Sequence, residues 1–112
     1  MKKIISQSII LASALLLLVS LSTCSKTSTP GPNQVYMQST SFNPSSITVP
    51  VNTTVTWTNQ DNITHNVTST TGLFASPTIS PSGTYTHQFT TTGTYPYSCT
   101  IHPGMNGVVI VQ

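Results

Sequence analysis

The chain is 112 residues long, enough for one small domain and too short for two. Only 4% of its residues are charged, and its cationic side chains, Lys2, Lys3 and Lys26, all precede residue 34. No basic patch is available to neutralise phosphates, which excludes nucleic-acid binding, and long-range steering of a charged partner is excluded with it.

In chain order the first element reads as an export signal. Met1, Lys2 and Lys3 form a positive n-region, and Ile9 to Leu21 form a leucine-rich apolar h-region. A spanning helix needs about 20 mostly apolar residues, whereas this run is shorter and is interrupted by Ser13 and Ser20. Residues 1–23 are therefore expected to be an export signal, with a retained anchor as the alternative. The following "LSTC", Leu21 to Cys24, resembles the lipobox of bacterial lipoproteins, although Thr23 stands where that motif usually carries Gly, Ala or Ser. The resemblance implies acylation of Cys24 and a domain tethered at the periplasmic or other extracytoplasmic membrane surface of a bacterium. Residues 24–33, Cys24 followed by "SKTSTPGPN", then read as a flexible tether that buries nothing.

Residues 34–112 read as one domain of short strands separated by turn signals, without a stretch of helical periodicity. "TVTWT", residues 54–58, alternates Val55 and Trp57 against threonines, the pattern of a half-buried strand. The same alternation places Tyr85, His87 and Phe89 on one face of "TYTHQF" and Tyr95, Tyr97 and Cys99 on one face of "TYPYSC", and it recurs in the terminal "GVVIV". Segments at 35–37, 47–49 and 66–68 complete the set, with "NPSS", "PVNT", "SPSG" and "TTGT" as turns. The expected fold is all-β, an antiparallel Greek-key β-sandwich or flattened barrel of about seven to eight strands. So small a core gains from a bound metal.

The chemistry concentrates in "SCTIHPGM", which spaces Cys99, His102 and Met105 three residues apart. His65, in "NQDNITHNV", follows a polar loop at the start of an expected strand, where a sandwich can bring it beside the 99–105 loop. Cys99 has three readings: a disulfide to Cys24, a small buried hydrophobe, or a metal ligand. Acylation of Cys24 would leave Cys99 an odd thiol in an oxidising compartment, which a metal would occupy. Two imidazoles with a thiolate and a thioether favour copper, because structural zinc rarely accepts methionine and His₂Cys with a long axial Met describes a blue-copper electron-transfer centre. His87 lies between Tyr85 and Phe89 on an apolar face and reads as an interior or edge histidine outside the site.

These residues carry a family resemblance. "FNPSSITVPVNTTVTWTNQDNITHNV", 42–67, and "SGTYTHQFTTTGTYPYSCTIHPGM", 82–105, resemble the type 1 copper proteins, or cupredoxins, and within them the plastocyanin and amicyanin group. The resemblance covers the chain from about Val35 onward. It implies one copper ion held by His65, Cys99, His102 and Met105, with Asn66 hydrogen-bonded across to the cysteine loop at Thr100. It implies a monomeric electron carrier, not an enzyme, passing one electron between a donor and an acceptor redox protein. The port would be the edge of His102, ringed by Pro103, Gly104, Leu73 and Phe74, and with so little charge docking would be apolar and brief. Asn52 stands where the family usually has glycine, a swap that asparagine tolerates at positive φ. A copper-trafficking lipoprotein would use the same ligands. An oxidase or nitrite reductase needs a second copper centre, and only His87 is left over. A metal-free structural sandwich leaves the four ligands unexplained.

Overall fold

The computed structural model describes residues 29–112, so the export-signal, retained-anchor and Cys24 readings and most of the tether lie outside it. The described residues form strands β1 (Gln34–Gln38), β2 (Ser41–Asn43), β3 (Ser46–Val49), β4 (Thr53–Asn59), β5 (Thr68–Ser69), β6 (Thr84–Phe89), β7 (Gly93–Ser98) and β8 (Asn106–Val111). Two sheets of four strands result, in the orders β2-β1-β4-β6 and β3-β8-β7-β5. The expected all-β sandwich is present.

The sheets are mixed where a wholly antiparallel arrangement was expected. β1 runs parallel to β4, and β3 runs parallel to β8. The reason lies at Pro44, which lacks an N–H and ends the ladder between β2 and β1. Only Pro44 and Ser45 separate β2 from β3, so one strand direction is handed from the first sheet to the second. After the reversal at residues 50–52, β4 therefore returns beside β1 pointing the same way. Asn52 makes that reversal at φ 73, as expected of an asparagine, and its N–H donates to the Phe89 carbonyl at 2.6 Å.

Alternation then fills the interior. Val55, Trp57 and Asn59 of β4 are buried, as are Phe89, Tyr97, Val109 and Val111 on the strands of both sheets. Trp57 is the hub, edge-on to Tyr97 at 5.4 Å between ring centroids and 5.7 Å from Tyr85. Burying an aromatic of this size contributes about 2–3 kcal/mol, and here it also sets register between the sheets. Because Trp57 meets Tyr97 across the sandwich, the next inward residues, Asn59 and Cys99, arrive at the same end. The polar loop after β4 and the loop after β7 therefore share that end.

Candidate metal centre

His65 is held by its backbone. Its N–H donates to the Ile79 carbonyl at 3.1 Å and its carbonyl accepts from the Ile79 N–H at 2.8 Å, three residues ahead of β5. The side chain is fully buried, at 0% exposure. Cys99 follows directly on β7 and is buried too. From there the chain folds back on itself: the Cys99 N–H donates to the Met105 carbonyl at 3.0 Å, and the Met105 N–H donates to the His102 carbonyl at 3.2 Å. Gly104 takes φ 89 inside that loop, a conformation that suits glycine. Met105 is buried and His102 half-buried.

Three donor atoms converge. Nδ1 of His65 lies 3.2 Å from Nδ1 of His102, and Cys99 Sγ lies 3.5 Å from Nδ1 of His102 and 3.8 Å from Nδ1 of His65. A first-row ion with bonds of about 2.0 Å to nitrogen and about 2.3 Å to sulfur spaces its ligands by roughly 3.3–3.8 Å. The observed triangle fits that requirement. With Met105, which closes the loop, the set is a candidate copper site of soft and imidazole donors.

The surroundings brace it. The Asn66 N–H points at Cys99 Sγ at 3.4 Å, and the Asn66 side chain donates to Thr100 Oγ1 at 2.8 Å while accepting from the Thr100 N–H at 3.0 Å. Asn66 and Thr100 are thus brought together as the sequence suggested. Asp61 is a support that the sequence motifs did not single out. Its Oδ2 lies 2.8 Å from Nε2 of His65, and the backbone N–H groups of Ser39 and Thr40 donate to Oδ1 at 2.7 Å and Oδ2 at 3.0 Å. Burial pushes this carboxyl up, but the bonds from Thr40, His65 and Ser39 outweigh it and hold the group below its ordinary value. The available signal was its position four residues before His65 in a chain with a single carboxylate.

A family model described as a cupredoxin-like domain matches residues 9–111. The chain belongs to the cupredoxin-like family. Among curated relatives, amicyanin of Paracoccus denitrificans is 39% identical over an alignment covering 57% of this chain and 53% of the relative, about half its length. Among solved structures, a purple cupredoxin from Nitrosopumilus maritimus superposes with TM-score 0.65 at 33% identity, covering 70% of this chain and 98% of that one. A variant of amicyanin in its Cu(I) form gives TM-score 0.67 at 33% identity over 70% of this chain and 80% of that one.

Of the two loop residues expected beside His102, Leu73 is 61% exposed and Phe74 is buried. Phe74 is only 7% exposed. The Ser69 hydroxyl accepts from the Thr71 and Leu73 N–H groups, each at 3.2 Å, and the Ser69 N–H donates to the Phe74 carbonyl at 2.8 Å. That tight turn drives Phe74 inward against Trp57, Phe89 and His87. Leu73 lines a cavity of about 190 Å³ with His87, Phe89, Thr91 and Tyr95, on the flank of the sandwich. His87 is stacked on Phe74 at 4.6 Å, outside the donor cluster, and burial pushes it below the ordinary histidine value. The exposed apolar residues that do flank the histidines in the chain are Ile63, 42% exposed, and Ile101, 46% exposed.

Proposed function

We propose that this cupredoxin is a type 1 copper electron carrier working outside the cytoplasm. The observation that carries the reading is the convergence of His65, His102 and Cys99 donors at 3.2, 3.5 and 3.8 Å in a chain of this family. His65, Cys99, His102 and Met105 would hold the ion, and copper when bound supplies a one-electron Cu(II)/Cu(I) couple. The protein's part is to keep the donors still. His65 is fixed by its two bonds to Ile79, Cys99 by its bond to Met105, and the two segments are joined through Asn66 and Thr100. Ligands fixed in this way resist rearrangement when the charge at the site changes. The Asn66 N–H, aimed at Cys99 Sγ at 3.4 Å, links the His65 segment to the cysteine directly.

The exported location rests on the n-region and h-region of residues 1–23, and membrane attachment on Cys24. His102, half-buried and followed by the exposed Pro103 and Gly104, is the electron port. Ile63 and Ile101, exposed and near His65 and His102 in the chain, are the apolar residues offered to a redox partner, and buried Phe74 is not among them. The carrier works as a monomer between a donor and an acceptor protein.

The test is a Cu(II) titration of the purified protein followed by visible absorption and EPR, alongside Cys99→Ser. The expected result is an intense blue or purple thiolate-to-copper band with narrow hyperfine splitting, absent in Cys99→Ser. A colourless complex in the unaltered protein would overturn the reading. Rapid copper loss to a chelator would instead point to trafficking.

A further inference from the structure

β6 is an edge of its sheet, paired with β4 on one side only. Its hydrogen-bonding direction is fixed by the Asn59 N–H, which donates to the Gly83 carbonyl at 2.9 Å. Bonded pairs alternate along an antiparallel ladder, so Tyr85, His87 and Phe89 turn their backbone groups to β4, and Thr84, Thr86 and Gln88 turn theirs outward. Among the described residues no other segment bonds to those outward N–H and C=O groups. The Gln88 side chain reaches the other way, donating to the Asn52 carbonyl beside β4 at 3.1 Å. Natural sheets guard such edges with lysine, proline, bulges or brevity. The other edge strands are brief, with three residues in β2, four in β3 and two in β5. β6 has six residues, and its TYTHQF holds no lysine, carboxylate or proline.

The cavity of about 190 Å³ opens beside the same strand. Gln88 and Phe89 of β6 line it together with Tyr95 of β7 and the exposed Leu73. The Tyr95 ring lies 5.0 Å from that of Phe89, and its hydroxyl donates to the Thr91 carbonyl at 2.6 Å, so this wall is formed before anything enters. Open edge and apolar cavity meet at Gln88. Strand addition uses that combination: main-chain bonds hold an extended peptide, and pockets select its side chains.

We propose that the β6 edge is a strand-addition site for an extended, uncharged segment of another protein, with one apolar side chain seated against Leu73, Phe89 and Tyr95. Charge matching sets the chemistry of that segment. The one formal charge in residues 29–112, Asp61, is bonded to Ser39, Thr40 and His65, so nothing at the edge compensates a charged strand for its lost water. A second copy could also pair its β6 here, but it brings six residues a side where a stable interface takes about 20–30. A short segment bound weakly suits the site better than a lasting dimer. Gln88 pairs with Thr54, five residues before Asn59 at the metal end of β4. That is about 16 Å along the strand, so a partner held at the cavity leaves His102 free. The site does not depend on the copper reading.

The probe is the capped peptide TVTFTVT, uncharged and alternating, added to the purified protein and followed by NMR. Saturable shifts confined to Thr84–Thr91, Leu73 and Tyr95 are expected, with slower amide exchange at Thr86 and Gln88. The same peptide N-methylated throughout lacks donors and should not bind, and replacing its phenylalanine by glycine should weaken it by at least about tenfold. Thr86→Pro removes an outward N–H without touching the ladder to β4, a change that edge strands accept, and should abolish binding with the fold intact. If that variant does not fold, Leu73→Ala, at an exposed position, carries the test and should weaken the peptide several-fold. Absence of saturable binding at millimolar peptide, shifts centred elsewhere, or equal binding of the N-methylated peptide would overturn the proposal. So would a concentration-dependent dimer in sedimentation that Thr86→Pro abolishes, because the edge would then belong to a second copy.

Discussion

Gly107 shows how narrowly one residue governs the approach to the centre. A Cβ built there would lie 2.4 Å from Cζ and 2.5 Å from Oη of Tyr97. Tyr97 is 1% exposed and wedged between Trp57 and Phe42, with centroids at 5.4 and 4.7 Å, so it has nowhere to retreat. Overpacking a closed interior typically costs about 1–3 kcal/mol. Gly107→Ala should therefore lower the unfolding free energy of the metal-free protein by that amount in urea denaturation. It should also disturb the centre, because Tyr97 is two residues from Cys99 on the same face of the chain. An unchanged midpoint would mean that β7 and β8 can part freely, against the packing described.

At the scale of elements, the site is made where two loops are tied together. Asn66 and Thr100 supply that tie with reciprocal bonds of 2.8 and 3.0 Å, and within its own segment Asn66 is steadied by the Thr68 hydroxyl, which donates to its Oδ1 at 3.0 Å. Each such neutral bond contributes about 1 kcal/mol net. Asn66→Ala is expected to cost about 1–3 kcal/mol in the metal-free protein, and amide hydrogen exchange should quicken in the 99–105 loop. If exchange there stays as slow as before, the loop is held by its internal Cys99–Met105 bonds alone. The strands themselves were legible: alternation in "TVTWT", "TYTHQF" and "TYPYSC" corresponds to β4, β6 and β7, and the spacing of Cys99, His102 and Met105 announced a converging loop. What stayed hidden has physical reasons. A period of two carries no direction, so the parallel pairs were invisible. β2 has a single apolar residue, Phe42, in three positions, too few to show alternation. The inward course of Phe74 depends on the Ser69 hydroxyl closing a turn, and Asp61 acquires its role only when β1 and β2 bring their turn beneath it.

For the molecule as a whole, the decisive property is what its surface lacks. Residues 29–112 contain one formally charged side chain, Asp61, and it is turned inward to Ser39, Thr40 and His65. The domain therefore presents almost no field for salt to screen. Charged electron carriers gain roughly 10–10³ in association rate from steering and lose it as the Debye length shrinks from about 30 Å at 0.01 M to about 3 Å at 1 M salt. Two molecules of this protein should meet at a rate set by apolar contact around His102 alone. Electron self-exchange between Cu(I) and Cu(II) forms, measured by NMR line broadening, needs no knowledge of the natural partner. The rate is expected to change less than about twofold across that salt range, against the much larger effect of steering. A steep dependence in either direction would require a charged contact surface that residues 29–112 do not possess, and would shift attention to Lys26 in the tether as part of the encounter.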